Sequence, residues 1–167
     1  LADALGALVP ASDVVPQVLD ATRKMVTKTA VAGTLEEVFD RAFYPALNTT
    51  RAALQPAIDR FYTEVFPTLQ TLTSPRPDMA ALVQQMFARG WKVAVATKPL
   101  FPRTAVVQRL GWAGLTAETG RFSQISTYEF FHFSKPNPAF FAEMLYQLGW
   151  PEEPAVMIGN DLEDDIL

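Results

Sequence analysis

Over the first seventy residues, apolar positions recur every three to four places, the spacing of amphipathic helices. Ser12 or Asp13 can cap a helix whose Val15, Val18, Leu19, Met25 and Val26 fall on one face. Thr34-Leu35-Glu36-Glu37 fits a capping box, in which the Thr34 hydroxyl and the Glu37 carboxylate satisfy each other's backbone amides. Leu35, Val38, Phe39, Ala42 and Phe43 follow it as a stripe. Leu54, Ala57, Ile58, Phe61, Tyr62 and Val65 then step by threes and fours until Pro67 closes the run. Residues 1–74 are therefore predicted to be an all-helical domain, with Phe43, Tyr44, Phe61 and Tyr62 in its core rather than lining a pocket.

The pattern changes at the proline-rich joint Ser74-Pro75-Arg76-Pro77-Asp78, a candidate domain boundary. A helix follows with Met79, Leu82, Val83, Met86 and Phe87 inward and Gly90 just past its end. Trp91 to Thr97 is a short β-rich run, stopped by Pro99 and Pro102. A second helix spans Pro102 to Leu110 and ends at Gly111. Residues 114–121 are weakly patterned, and Phe122 to Tyr128 reads as another strand. Asn137 and Pro138 open the last full helix, with Phe141, Met144, Leu145 and Leu148 as its buried stripe. Pro151 and Pro154 bracket the turn into a strand over Ala155–Ile158. Alternating helices and strands predict a mostly parallel sheet with right-handed crossovers over residues 75–167. The single histidine, His132, lies in Phe130-Phe131-His132-Phe133 and reads as packing. Trp91, Trp112 and Trp150 each follow a glycine at an element boundary and read as structural.

Composition narrows the function. The 167 residues are 49% hydrophobic and 19% charged, as in a soluble globular protein. A net charge of −4 without a basic run argues against nucleic acid and anionic membrane as partners. The absence of cysteine removes disulfides, thiolate zinc sites and thiol nucleophiles together. No stretch approaches the roughly 20 apolar residues that cross a bilayer, and no signal-peptide pattern opens the chain. A cytoplasmic location is the default expectation. Both ends look cut, since the chain begins Leu1-Ala2-Asp3 without methionine and stops at Ile166-Leu167, where a helix should be starting. A segment of a longer protein is expected.

Ligands of open parallel sheets sit beyond the carboxyl ends of the strands. Three features fall there: Thr97-Lys98 after one strand, Lys135 before a helix start, and the loop Gly159-Asn160-Asp161-Leu162-Glu163-Asp164-Asp165. Four acids within five residues suit a hard cation such as Mg²⁺, although a solvated acidic turn reads the same way in isolation. A hydroxyl, an ammonium and paired carboxylates together are the parts needed to bind a phosphoryl group and stabilise its charge. The helix opening at Asn137-Pro138 adds a positive dipole near Lys135.

In order and interval these segments resemble the motifs of the haloacid dehalogenase (HAD) superfamily of aspartate-nucleophile phosphohydrolases. Val93-Ala94-Val95-Ala96-Thr97 resembles its second motif, Ser134-Lys135-Pro136-Asn137-Pro138 its third, and Ile158 to Asp165 its fourth. The resemblance implies a Rossmann-like α/β core over residues 75–167, preceded by an α-helical cap domain over 1–74. It implies hydrolysis of a small phosphorylated metabolite through an aspartyl-phosphate. Carried over, Thr97 would hydrogen-bond a phosphoryl oxygen, and Lys135 would neutralise charge on phosphate and nucleophile. Asp161 and Asp165 would hold Mg²⁺, with Asn160 standing where the commoner pattern has aspartate, so the metal role falls to Asp161 or stays partly with Asn160. Lys98 replaces a frequent asparagine and either adds a cation near phosphate or points into solvent. The first motif, Asp-x-Asp on the central strand, is absent: no two aspartates are separated by one residue. The 167 residues are therefore expected to lack both the nucleophile and the central strand, to be inactive alone, and to leave a gap in the sheet. A metal-independent 2-haloacid dehalogenase and a non-catalytic phosphate- or partner-binding module are the alternatives. Nothing in the pattern fixes an oligomeric state.

Overall fold

The computed structural model describes residues 1–115 and 121–165. Its helical half runs α1 (Ala2–Leu5), α2 (Ala11–Val26), α3 (Leu35–Ala46) and α4 (Arg51–Arg60). The chain then widens into a π-helical turn over Phe61–Val65 and tightens into a 3-10 turn over Phe66–Leu72. Pro67 thus lies in the first turn of the last segment, where its missing N–H has no partner to lose, rather than ending a single helix.

Local chemistry sets the helix starts. The Thr34 and Thr50 hydroxyls each accept the N–H three residues on, from Glu37 and Ala53, at 3.3 Å. Only half of the expected capping box forms, because the Glu37 carboxylate lies across Gly33, where a Cβ would overlap it. Neither Ser12 nor Asp13 caps α2: the helix starts at Ala11 after Pro10, and the two side chains bond each other inside the first turn. The buried face of α2 is Val14, Ala21 and Met25, and Val15 and Leu19 are exposed. One residue is roughly 100° around a helix, so burying Val14 against Leu5 and Val9 turns Val15 outward. Arg51 ties α4 to α3 through Glu36 at 2.6 Å and Asp40 at 2.8 Å.

The second half runs α5 (Pro77–Ala88), β1 (Val93–Val95), α6 (Arg103–Trp112), β2 (Phe122–Ile125), α7 (Pro138–Gln147) and the single turn α8 (Leu162–Asp165). α6 runs through Gly111, and the left-handed turn falls at Gly114 instead. β1 and β2 are parallel, paired Val93 to Phe122, Ala94 to Gln124 and Val95 to Ile125, with Ser123 as an extra residue. Of the stripe expected on α5 only Phe87 is buried, against Phe122, while Met79 and Leu82 are exposed.

Ala155–Ile158 is not a strand. Val156 and Ile158 are 83% and 60% exposed, and no backbone hydrogen bond reaches this segment among the described residues. An apolar run becomes a strand only beside another strand, and β2 takes one edge of β1 while among the described residues no third strand lies on the other. The three-stranded sheet predicted from the pattern is a two-stranded one among the described residues.

Two apolar clusters form among the described residues. Leu5, Val9, Val14, Ala21, Phe43, Tyr44, Leu47 and Leu54 fill the helical half. Met25 and Leu35 share a second cluster with Phe131, Phe140 and Met144, so α7 buries Phe140 and Met144 most deeply, with Phe141 and Leu148 packed around them. The Leu35 and Glu36 amides donate to Phe131 O and Tyr128 O, both at 2.9 Å. The start of α3 is thereby fastened to the loop before α7.

Burial pushes the Tyr44 and Tyr62 phenols up to about 12. Folded phenols then ionise later than unfolded ones, so their contribution to stability is whole below the ordinary value near 10 and is lost as pH rises towards 12. Phenolate absorbance is expected to rise near pH 12 for these two side chains, and chemical unfolding to become easier between pH 10 and 12.

Candidate active site

The carboxyl end of β1 is held by a residue from outside it. Ser126, fully buried just after β2, donates its N–H to Val95 O at 2.9 Å and its hydroxyl to Thr97 O at 2.7 Å. The ladder is thus carried two residues past the strand, fixing the backbone of Thr97. Thr97 lines a cavity of about 220 Å³ together with Val95, Phe101, Val106, Arg109 and Leu110. A tight turn follows, in which Leu100 N–H donates to Lys98 O at 2.8 Å over a buried Pro99. Lys98 leaves this turn and meets Asp164 Oδ2 at 2.7 Å, so it faces the acidic loop rather than open solvent.

Lys135 lies in the connection to α7. Asn137 caps that helix, its Oδ1 accepting Ala139 N–H at 2.9 Å, and its own N–H donates to Ser134 O at 3.0 Å. This folded connection buries Ser134 completely and leaves Lys135 only 6% exposed. A buried ammonium requires an anion, and the Lys135 Nζ finds Asp165 Oδ1.

The acidic loop is organised by its own amides. Asp161 Oδ1 accepts the N–H groups of Glu163 and Asp164, each at 3.0 Å, and so starts α8. Asp165 Oδ2 accepts Asn160 N–H at 3.0 Å and Asp161 N–H at 3.1 Å. The Asp165 carboxylate folds back over Gly159, where any Cβ would overlap it. The Lys135 ammonium holds the Asp165 carboxyl below the usual carboxylate range; burial opposes this, and the Asp161 and Asn160 amides reinforce it.

Lys98, Lys135 and the acidic loop therefore meet in the chain just past Thr97, while the cavity that Thr97 itself lines includes none of the three. The acids differ in what they do there. Asp165 has both oxygens engaged, one by Lys135 and one by two amides, and Asp164 faces Lys98. Asp161 retains an oxygen, and Asn160 its side-chain amide, without a hydrogen bond among the described residues, and both side chains are exposed. Among the described residues no three acids or histidines converge closely enough to hold a metal ion by themselves. The uncommitted oxygens of Asp161 and Asn160 are donors of the kind Mg²⁺ takes, a cation that needs only one or two protein carboxylates and completes its shell with water and phosphate.

Sequence reasoning missed Ser126 and Glu143. A buried serine after a strand and a glutamate within a helix carry no local signal of their contacts. Glu143 accepts the His132 N–H at 2.9 Å and meets His132 Nδ1 at 2.7 Å, so the histidine is held in the connection to Lys135 rather than at the end of β1. Trp112 packs on Phe66 with ring centroids 5.2 Å apart, whereas Trp91 and Trp150 are exposed.

A family model described as hydrolase, haloacid dehalogenase-like hydrolase, matches residues 3–167. No curated protein and no solved structure matches the chain.

Removing one partner of a buried ion pair strands the other charge. Lys135→Met is expected to destabilise the chain by about 3–5 kcal/mol in urea unfolding. Lys98→Ala, at a more exposed pair, is expected to cost about 1 kcal/mol or less in the same measurement.

Proposed function

Since the chain belongs to the haloacid dehalogenase-like hydrolases, we propose that it forms the phosphate-binding, charge-neutralising part of a magnesium-dependent phosphohydrolase. Its substrate is a small phosphorylated metabolite, hydrolysed through an aspartyl-phosphate. The two lysine–aspartate contacts, Lys98 to Asp164 and Lys135 to Asp165, carry this reading, because they gather both cations and the acidic loop beside Thr97. The Thr97 hydroxyl donates to a phosphoryl oxygen, and Lys135, already desolvated, neutralises charge that develops on the group during transfer. Lys98 adds a second positive charge at the same edge. Asp161 and Asn160 offer oxygens to Mg²⁺, while Asp165 takes part indirectly by fixing Lys135 and the loop backbone. When bound, the cation would supply further charge neutralisation at the phosphoryl oxygens.

The nucleophile is an aspartate outside these 167 residues, on an apolar strand ending in Asp-x-Asp. Support for this comes from the edge of β1 that pairs with no strand among the described residues and from the run Ala155–Ile158, likewise unpaired among them, which together offer two sides for such a strand. Residues 1–74 act as the cap that selects the substrate.

The test is hydrolysis of p-nitrophenyl phosphate with Mg²⁺ by the 167-residue chain and by the chain extended through its upstream reading frame. The first is expected to be inactive. The second is expected to turn over, and to lose at least roughly a hundredfold in kcat when Lys135 becomes methionine. An upstream frame without an apolar strand and Asp-x-Asp would sink the proposal. Chloride release from a 2-haloacid without added Mg²⁺ would replace it with the dehalogenase reading.

A further inference from the structure

Glu143 lies about one and a half turns into α7 and has no part in the chemistry proposed above. Its Oε2 accepts the N–H groups of His132 at 2.9 Å and Phe133 at 3.3 Å. Its Oε1 lies 2.7 Å from His132 Nδ1, and because a carboxylate only accepts, that nitrogen carries the proton. One side chain therefore ties residues 132 and 133 to the helix that follows them. Asn137 ties the downstream end of the same connection to the first turn of that helix. Ser134 and Lys135 are the buried residues between the two ties. Lys28, from the link between α2 and α3, adds a third: its Nζ donates to His132 O at 3.0 Å and stands 5.2 Å from the Phe133 ring centre.

We infer that Glu143 is a positioning residue for Lys135, holding its backbone so that the ammonium reaches Asp165 and the phosphoryl site. A lysine side chain has four rotatable bonds, so its head is placed only if its Cα is. Without Glu143 two main-chain amides lose their acceptor, and the connection is released from α7 at the end nearer β2. The inference rests on Lys135 being the phosphoryl-neutralising cation; the placement of its ammonium is measurable without that reading.

The experiment follows the Lys135 ammonium by ¹H–¹⁵N correlation in the 167-residue chain, before and after addition of inorganic phosphate. In Glu143→Ala the Lys135 signal is expected to shift or broaden away, and phosphate affinity to fall roughly tenfold, the size of one lost hydrogen bond's worth of placement. His132→Ala keeps both amide bonds and is expected to leave the signal in place. Glu143→Gln keeps an acceptor oxygen and is expected to restore it. If Glu143→Ala does not fold, Glu143→Asp decides, because it withdraws the carboxylate by one methylene while keeping its charge; the signal is again expected to move. An unmoved Lys135 signal in a folded Glu143→Ala or Glu143→Asp chain would overturn the inference. Failure of the unaltered chain to bind phosphate would count instead against the phosphohydrolase reading, since the ammonium signal is first recorded without phosphate.

Discussion

The buried ion pair between Lys135 and Asp165 is the contact on which the rest of the site depends. An ammonium taken out of water must be matched by an anion, and no neutral group would serve as well. Matching it brings the acidic loop, some thirty residues further along the chain, to the end of β1. The loop then adapts to the pair: Asp165 gathers the Asn160 and Asp161 amides, and Gly159 makes room for its carboxylate. Lys98 and Asp164 make a second tie beside the first, but at a more exposed position where water screens the attraction.

Side-chain charge does here what strand pairing does in a complete parallel sheet. Ala155–Ile158 leads into the loop with no ladder among the described residues, and Val156 and Ile158 are exposed. The first segment of the site is better held, because Ser126 extends the pairing of β1 and β2 to Thr97. The third motif is held from two directions. Glu143 and Asn137 fix the connection from α7, while Met25, Leu35 and Lys28 brace it from the helical half. The helical half thus helps to build the wall behind Lys135 as well as its own core.

Much of this was legible in the sequence because it is local chemistry. The Asn137-Pro138 start, the Thr34 hydroxyl cap and the glycine at 90 each act within a few residues, and each is where the pattern put it. That Lys98, Lys135 and the acidic loop come together is a matter of opposite charges, which residue type alone makes visible in the sequence. Periodicity fixes the width of the α2 stripe but not its phase, and packing against Leu5 and Val9 selects Val14 as the inward residue. The apolar run at 155–158 does not make a strand because a strand is a relation between two segments, and apolar residues describe only one of them. Ser126 and Glu143 left no trace for a similar reason. Their partners lie 29 and 11 residues away, and only the fold brings them within reach.

Ion pairs and loop amides, not strand pairing, hold the acidic loop at the end of β1. Native-state amide hydrogen exchange tests it most directly. The amides of Val156, Met157 and Ile158 are expected to exchange with little protection, while those of Ser126 and Asp165, donated to Val95 O and Asp161 O, exchange more slowly. Protection across 156–158 comparable to that of Ser126 would mean that the segment is paired after all, and would contradict the account.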